Sequence, residues 1–169
     1  MTNSAHPPDD PQAELSRLLE ATGDRGRPEA VAARHARGYR TARENLEDLC
    51  DPGSFVEYGQ LAVAAQRQRR SLEELRGSTP ADGVITGLAT INADRFGAAA
   101  SQAAVIVYDY TVLAGTQGWF HHKKLDRILE VAGRERLPVV MYTEGGGGRP
   151  GDTDVATQIA GLDLPTFAR

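Results

Sequence analysis

The chain has 169 residues, 40% of them hydrophobic, with 19 basic against 23 acidic side chains and a formal net charge of -4. That size suits one ordinary domain with a buried core, and the weakly acidic balance argues against a general nucleic-acid binder or a polybasic membrane-surface protein. No window approaches the roughly 18 apolar residues of a membrane span, the opening MTNSAHPPDD lacks the pattern of a secretory signal, and the single Cys50 fits a reducing, cytoplasmic setting.

Residues 1–11 are rich in Pro, Asp and Ser and read as a disordered tail. Residues 12–50 read as an N-terminal helical segment. Leu15, Leu18 and Leu19 form a short stripe ending at Gly23, and the stretch from Pro28 to Leu49 places Val31, His35, Tyr39, Ala42, Leu46 and Leu49 near one face. Gly38 marks a break within it, and the face is polar enough to suit a partner rather than a core. Asp51-Pro52-Gly53-Ser54 is a turn, because Pro presets φ and Gly accepts positive φ. A strand at 55–58 follows. From Gln66 to Pro80 the chain is charged and reads as a surface loop with one helical turn and solvated arginines.

After Gly83 the nearly alternating VITGLATIN predicts a strand, and AVIVYDY (104–110) predicts one buried on both faces. Thr116 is the expected N-cap of the next helix, where Leu125, Ile128, Leu129 and Ala132 recur at helical spacing. PVVMYT (138–143) is the following buried strand. Strand, helix, strand in that order predicts a parallel crossover and an α/β fold.

Glu144-Gly145-Gly146-Gly147-Gly148-Arg149-Pro150-Gly151-Asp152 is the most informative segment. It stands where a buried strand ends and a helix at 153–160 is expected, the position at which α/β folds bind ligands. Four glycines remove every side chain there, so backbone N–H groups can face a ligand and stabilise negative charge. Phosphate cradling and an oxyanion hole for an enolate both use that arrangement, and a plain flexible turn is the third reading. A nucleotide P-loop needs Lys and Ser/Thr after the last glycine, whereas Arg149-Pro150 follows here.

A second small-residue cluster, from Thr111 to Gly118, also joins a strand to a helix. His121 and His122 are adjacent and project in different directions, a poor metal site. Lys123 and Lys124, the only lysines among the basic residues, read as solvated, with contact to an anionic group as the alternative. Asp109 reads as a structural, hydrogen-bonded carboxylate. No nucleophile with a histidine partner is evident.

These pieces resemble the carboxyltransferase family of biotin-dependent acyl-CoA carboxylases, the beta-type subunits acting on propionyl-, methylcrotonyl- or acetyl-CoA. TARENLEDLCDPGSFVEYG from Thr41 is similar to the family's TARER…LLDPGSF, and ADGVITGLATIN from Ala81 to its next strand. DYTVLAGTQG…HHKK from Asp109 resembles DFTVLGGS…HAKK, and EGGGGRPGD from Glu144 takes the place of D-S-G-G-A-R. The four come in order over roughly two thirds of the chain. Gly145 and Gly148 stand where relatives have Ser and Ala, Pro150 follows the arginine, and Ala114 replaces a glycine. The stretch from Asp94 to Val107 is also longer, pointing to a subgroup related to single-chain or long-chain acyl-CoA carboxylases.

The resemblance implies an α/β, crotonase-like (ClpP/crotonase) β-β-α superhelix, present as an incomplete N-terminal half over 51–169 and preceded by N-terminal helices. It implies transfer of CO2 from carboxybiotin to the α-carbon of an acyl-CoA, with no covalently bound cofactor and with carboxybiotin fragmentation supplying the base. The amides of Gly146 and Gly147 are then the oxyanion donors, and Gly115, Thr116 and Gly148 contact the acyl-CoA. Implied partners are a biotin carboxyl carrier, a biotin carboxylase and further copies of the chain, with no nucleic acid and no membrane. Family members are much longer and carry two related halves, so a chain inactive alone is expected. The alternatives are a non-catalytic acyl-CoA-binding module and another crotonase-fold enzyme; hydratases need carboxylates at the site, and Glu144 alone stands beside the loop.

Overall fold

The computed structural model describes residues 10–155. Residues 1–9 of the expected tail and 156–160 of the expected last helix lie outside the described residues, and residues 153–155 form a turn. Three helices come first: α1 (Pro11–Ala21), α2 (Pro28–His35) and α3 (Ala42–Leu49). β1 (Val56–Tyr58), α4 (Leu72–Ser78), β2 (Val84–Thr90), α5 (Ala93–Phe96), β3 (Gln102–Tyr108), α6 (Trp119–Glu135) and β4 (Val139–Tyr142) follow.

Local chemistry explains most boundaries. Asp10 caps α1, its carboxylate accepting from the Gln12 amide at 3.1 Å. Gly38 at φ 77 separates α2 from α3, so the long stripe expected from Pro28 is two helices. Thr41 and Glu44 close a reciprocal capping box on α3, and Ser71 and Glu74 close another on α4. Because of that box the expected single turn in the charged segment is a full short helix, with Leu75 fully buried beneath it.

The sheet runs β1-β2-β3-β4, antiparallel for the first two pairings and parallel for β3 with β4. Alternation along β3 sends its side chains to two cores. Val105 and Val107 pack with Ile85, Ala89 and the face of α3 that carries Ala42 and Leu46. Ala104, Ile106 and Tyr108 pack with Val84 and with Leu125, Ile128 and Ala132 of α6. The α3 part of the face expected to await a partner therefore lies on the sheet, where β2 and β3 supply the rest of that core, while His35 and Tyr39 stay exposed. β2, β3 and α6 form one β-β-α unit, and α6 carries the chain across to β4.

Candidate functional site

β3 and β4 run parallel, so the loops leaving their carboxyl ends emerge side by side. Asp109 anchors the first. Its carboxylate accepts from Arg27 Nη1 at 2.9 Å, from the Thr111 amide at 2.9 Å and from Thr111 Oγ1 at 2.6 Å, the structural role expected of it. Leu113, Ala114 and Gly115 then turn through three successive left-handed residues, at φ 49, 55 and 66. The turn pushes the Gly115 backbone against the glycine loop, where a Cβ on Gly115 would collide with the Glu144 carbonyl and one on Gly145 with the Gly115 carbonyl. A short parallel bridge joins the loops: the Gln117 amide donates to the Gly147 carbonyl at 2.8 Å, and the Arg149 amide to the Gln117 carbonyl at 2.9 Å.

The structure thus brings together Gly115, Thr116, Gly146, Gly147 and Gly148. Gly115 is buried at the seam and Thr116 is half-buried beside it, while Gly146, Gly147 and Gly148 form the exposed rim. Among the described residues the amides of these three glycines donate to no backbone carbonyl. A Cβ on Gly146 would meet nothing within 4 Å, so the space before the loop is open. Glu144, at the loop's entrance, is paired with the buried Arg34, whose guanidinium lies 4.7 Å from the Tyr39 ring centroid and 5.3 Å from that of Tyr110.

Thr116 does not cap α6. Its hydroxyl donates to the Leu113 carbonyl at 2.7 Å, and Gly118 holds the N-cap without a side chain. The capping comes from two distant carboxylates instead. Asp152 accepts from the Trp119 amide and Asp82 from the His121 amide, both at 2.7 Å, satisfying donors that the helix cannot satisfy itself. Arg149 lies between these carboxylates, paired with Asp82 and 3.5 Å from Asp152, and donates to the Thr116 carbonyl at 2.8 Å. Burial pushes the Asp82 carboxyl upward, and the Arg149 guanidinium opposes that shift. Arg149, Asp82 and Asp152 are the site residues that sequence reasoning missed. The arginine directly after a glycine run was the visible signal, but nothing in the spacing links it to Asp82.

Lys124 is also not solvated. Its ammonium donates to the Val84 carbonyl and, at 3.0 Å, to the Ala81 carbonyl, and burial lowers its pKa to about 8. Lys123 is exposed, 4.9 Å from the Trp119 ring centroid. His121 is fully buried edge-on to Tyr108, with ring centroids 4.5 Å apart. Burial, with Arg149 nearby, lowers its pKa to about 3, so the imidazole is neutral. Among the described residues no cluster of three His, Cys, Asp or Glu side chains could hold a metal ion, and no helix is long and apolar enough to cross a membrane.

The carboxyl transferase domain family matches residues 33–162. A propionyl-CoA carboxylase beta chain of Saccharopolyspora erythraea is 33% identical over 138 residues, covering 81% of this chain and 23% of its own length. The biotin-dependent long chain acyl-coenzyme A carboxylase beta4 subunit of Mycobacterium tuberculosis is 34% identical over 137 residues, with 81% and 23% covered. Among solved structures, a single-chain, multi-domain long-chain acyl-CoA carboxylase superposes with a TM-score of 0.85 at 61% identity, over 93% of this chain and 16% of that one. The transcarboxylase 12S core with methylmalonyl-coenzyme A and methylmalonic acid bound gives a TM-score of 0.65 at 27% identity, with 89% and 28% covered. The chain spans about a quarter of the length of the curated relatives it matches.

Proposed function

The chain belongs to the carboxyl transferase domain family, with the crotonase-like fold of its structural relatives, and from that premise we propose that it forms the acyl-CoA-facing part of a carboxyltransferase site. The observation that carries the reading is the exposed rim of Gly146, Gly147 and Gly148, bridged to the loop of Gly115 and Thr116 at the ends of two parallel strands. Relatives are named for propionyl-CoA, long-chain acyl-CoA and methylmalonyl-CoA. Their acyl groups differ, and the thioester is what they share.

The chemistry follows from that thioester. Loss of the α-proton leaves an electron pair shared with the thioester oxygen, and backbone N–H groups aimed at that oxygen stabilise the charge as it develops. The new bond joins the α-carbon to CO2, which carboxybiotin on a carrier protein supplies. Gly146 and Gly147 are the proposed oxyanion donors, with Gly115, Thr116 and Gly148 against the acyl-CoA. Glu144 is held by Arg34, and Asp152 is buried under the loop as a helix cap. Neither is disposed as a general base, which fits a base arising from the carboxyl donor. A carrier, a biotin carboxylase and further copies of the chain are the proposed partners. In this reading residues 12–50 form a helical segment laid on a carboxyltransferase part that starts at 51.

The test is carboxylation of propionyl-CoA and palmitoyl-CoA by free carboxybiotin, alone and with the C-terminal half of a homologous beta chain added. Product formed only with the added half is the expected result. Acyl-CoA binding without product in either condition would favour a binding module, and absence of binding would refute the reading.

A further inference from the structure

We infer that Arg149 is a positioning residue, which sets the geometry of the glycine rim from behind and does not bind the substrate's anionic groups. An arginine beside a ligand loop is a common counter-ion for phosphate or carboxylate. In the structure its side chain turns inward and is 4% exposed. Four of its five polar hydrogens are committed: Nη1 to Asp82 and Asp152, one on Nη2 to the Thr116 carbonyl at 2.8 Å, and Nε to Thr116 Oγ1 at 3.4 Å. At that burial the guanidinium has almost no surface to offer a ligand in front of the loop.

What the side chain joins is equally specific. Asp82 and Asp152 each hold an amide of the first turn of α6, so the guanidinium is tied to a rigid helix end. Thr116 is the residue before the bridge to the glycine loop, and the Arg149 amide is itself one of the bridge donors. Gly118 has no Cβ because one would collide with the Arg149 guanidinium and approach Asp152 Oδ2 at 2.7 Å. The position of Gly146, Gly147 and Gly148 is therefore fixed by a planar, many-pronged contact that lysine cannot reproduce. Removing the guanidinium alone leaves two buried carboxylates with too little positive charge, so a charge-balanced change is needed to separate positioning from folding.

This inference rests on the proposed function, and the test separates the two. Wild type, Arg149→Lys and the double variant Arg149→Met/Asp82→Asn are compared by thermal melting and by titration with four ligands. These are propionyl-CoA and palmitoyl-CoA, and their thioether counterparts S-propyl-CoA and S-hexadecyl-CoA, which lack the carbonyl oxygen. Wild type is expected to prefer a thioester over its matched thioether by about tenfold, the worth of a hydrogen bond or two to that oxygen. Folded variants are expected to lose most of that preference while binding the thioethers as wild type does. A merely structural role would change melting and weaken both ligand types alike, and that outcome overturns the inference. So does a full thioester preference in either variant, or an equal loss of thioester and thioether binding that points to direct contact with the CoA phosphates. Should the double variant not fold, Arg149→Lys, which keeps the buried charge, decides by the same criterion. Wild type that binds none of the four ligands would overturn the functional reading itself.

Discussion

Ala114 carries a Cβ at φ 55, in the left-handed region that favours glycine, and it stands where the resembling motif has a glycine. Ala114→Gly is expected to relieve that conformation and raise the unfolding free energy by up to about 1 kcal/mol, partly offset by the freer unfolded chain; urea denaturation measures it. His121 makes a second prediction at the same scale. Its pKa falls from 6.5 to about 3 on folding, so the unfolded chain binds the extra proton at any pH between those values. Stability is therefore complete above pH 6.5 and is lost as the pH falls toward about 3. The slope approaches roughly 1.4 kcal/mol per pH unit. Denaturation between pH 6.5 and 5 should show this slope, and His121→Phe, which packs without titrating, should flatten it. The role of neither residue could be read from the chain. Ala114 needs a backbone angle to be noticed, and His121 needs the burial that Tyr108 and α6 impose.

At the level of elements, Thr41 ties the start of α3 to Asp24 in the turn after α1. Its hydroxyl accepts from the Glu44 amide at 3.0 Å and donates to Asp24 at 2.5 Å, and its amide donates to the Glu44 carboxylate at 2.7 Å. Thr41→Ala should cost about 1–2 kcal/mol, because it removes the cap of α3 and leaves the half-buried Asp24 carboxylate short of a donor. A thermal melt reads it. β2, β3 and α6 were legible in the sequence because their burial leaves a strong pattern: β-branched runs for the strands, and i, i+3, i+4, i+7 spacing for the helix. β4 was legible as a strand but not buried as expected: it is the edge of the sheet, and Val139 and Tyr142 are exposed. α3 was misjudged because only Ala42 and Leu46 of the helix are buried in its core, with Leu49 half-buried beside them, too sparse a stripe to stand out against charged neighbours. The first turn of α6 was misplaced because its caps come from residues 39 and 33 positions away in the chain. A local cap such as Thr116 is the natural guess when the true partners are brought by folding.

For the whole molecule, the sheet lies between α3 and α6, and both loops of the site issue from one end of it. The glycine loop and the Thr111–Gly118 loop were each visible as small-residue clusters after β-branched strands. Their contact was not, since it depends on parallel neighbouring strands and on two glycines that touch through their backbones. The buried Asp82–Arg149 pair spans 67 residues and follows from that same closure. The central claim is that the open face of the glycine rim receives an acyl-CoA thioester. Gly146 tests it most directly, because its φ lies outside the left-handed region and its missing Cβ would meet no protein atom within 4 Å. A methyl there intrudes on the ligand and not on the fold. Titration of propionyl-CoA and palmitoyl-CoA into wild type and Gly146→Ala should show binding of at least one ligand weakened by about tenfold or more, with melting unchanged. Equal affinity in the two proteins, at equal stability, would contradict the assignment of the site.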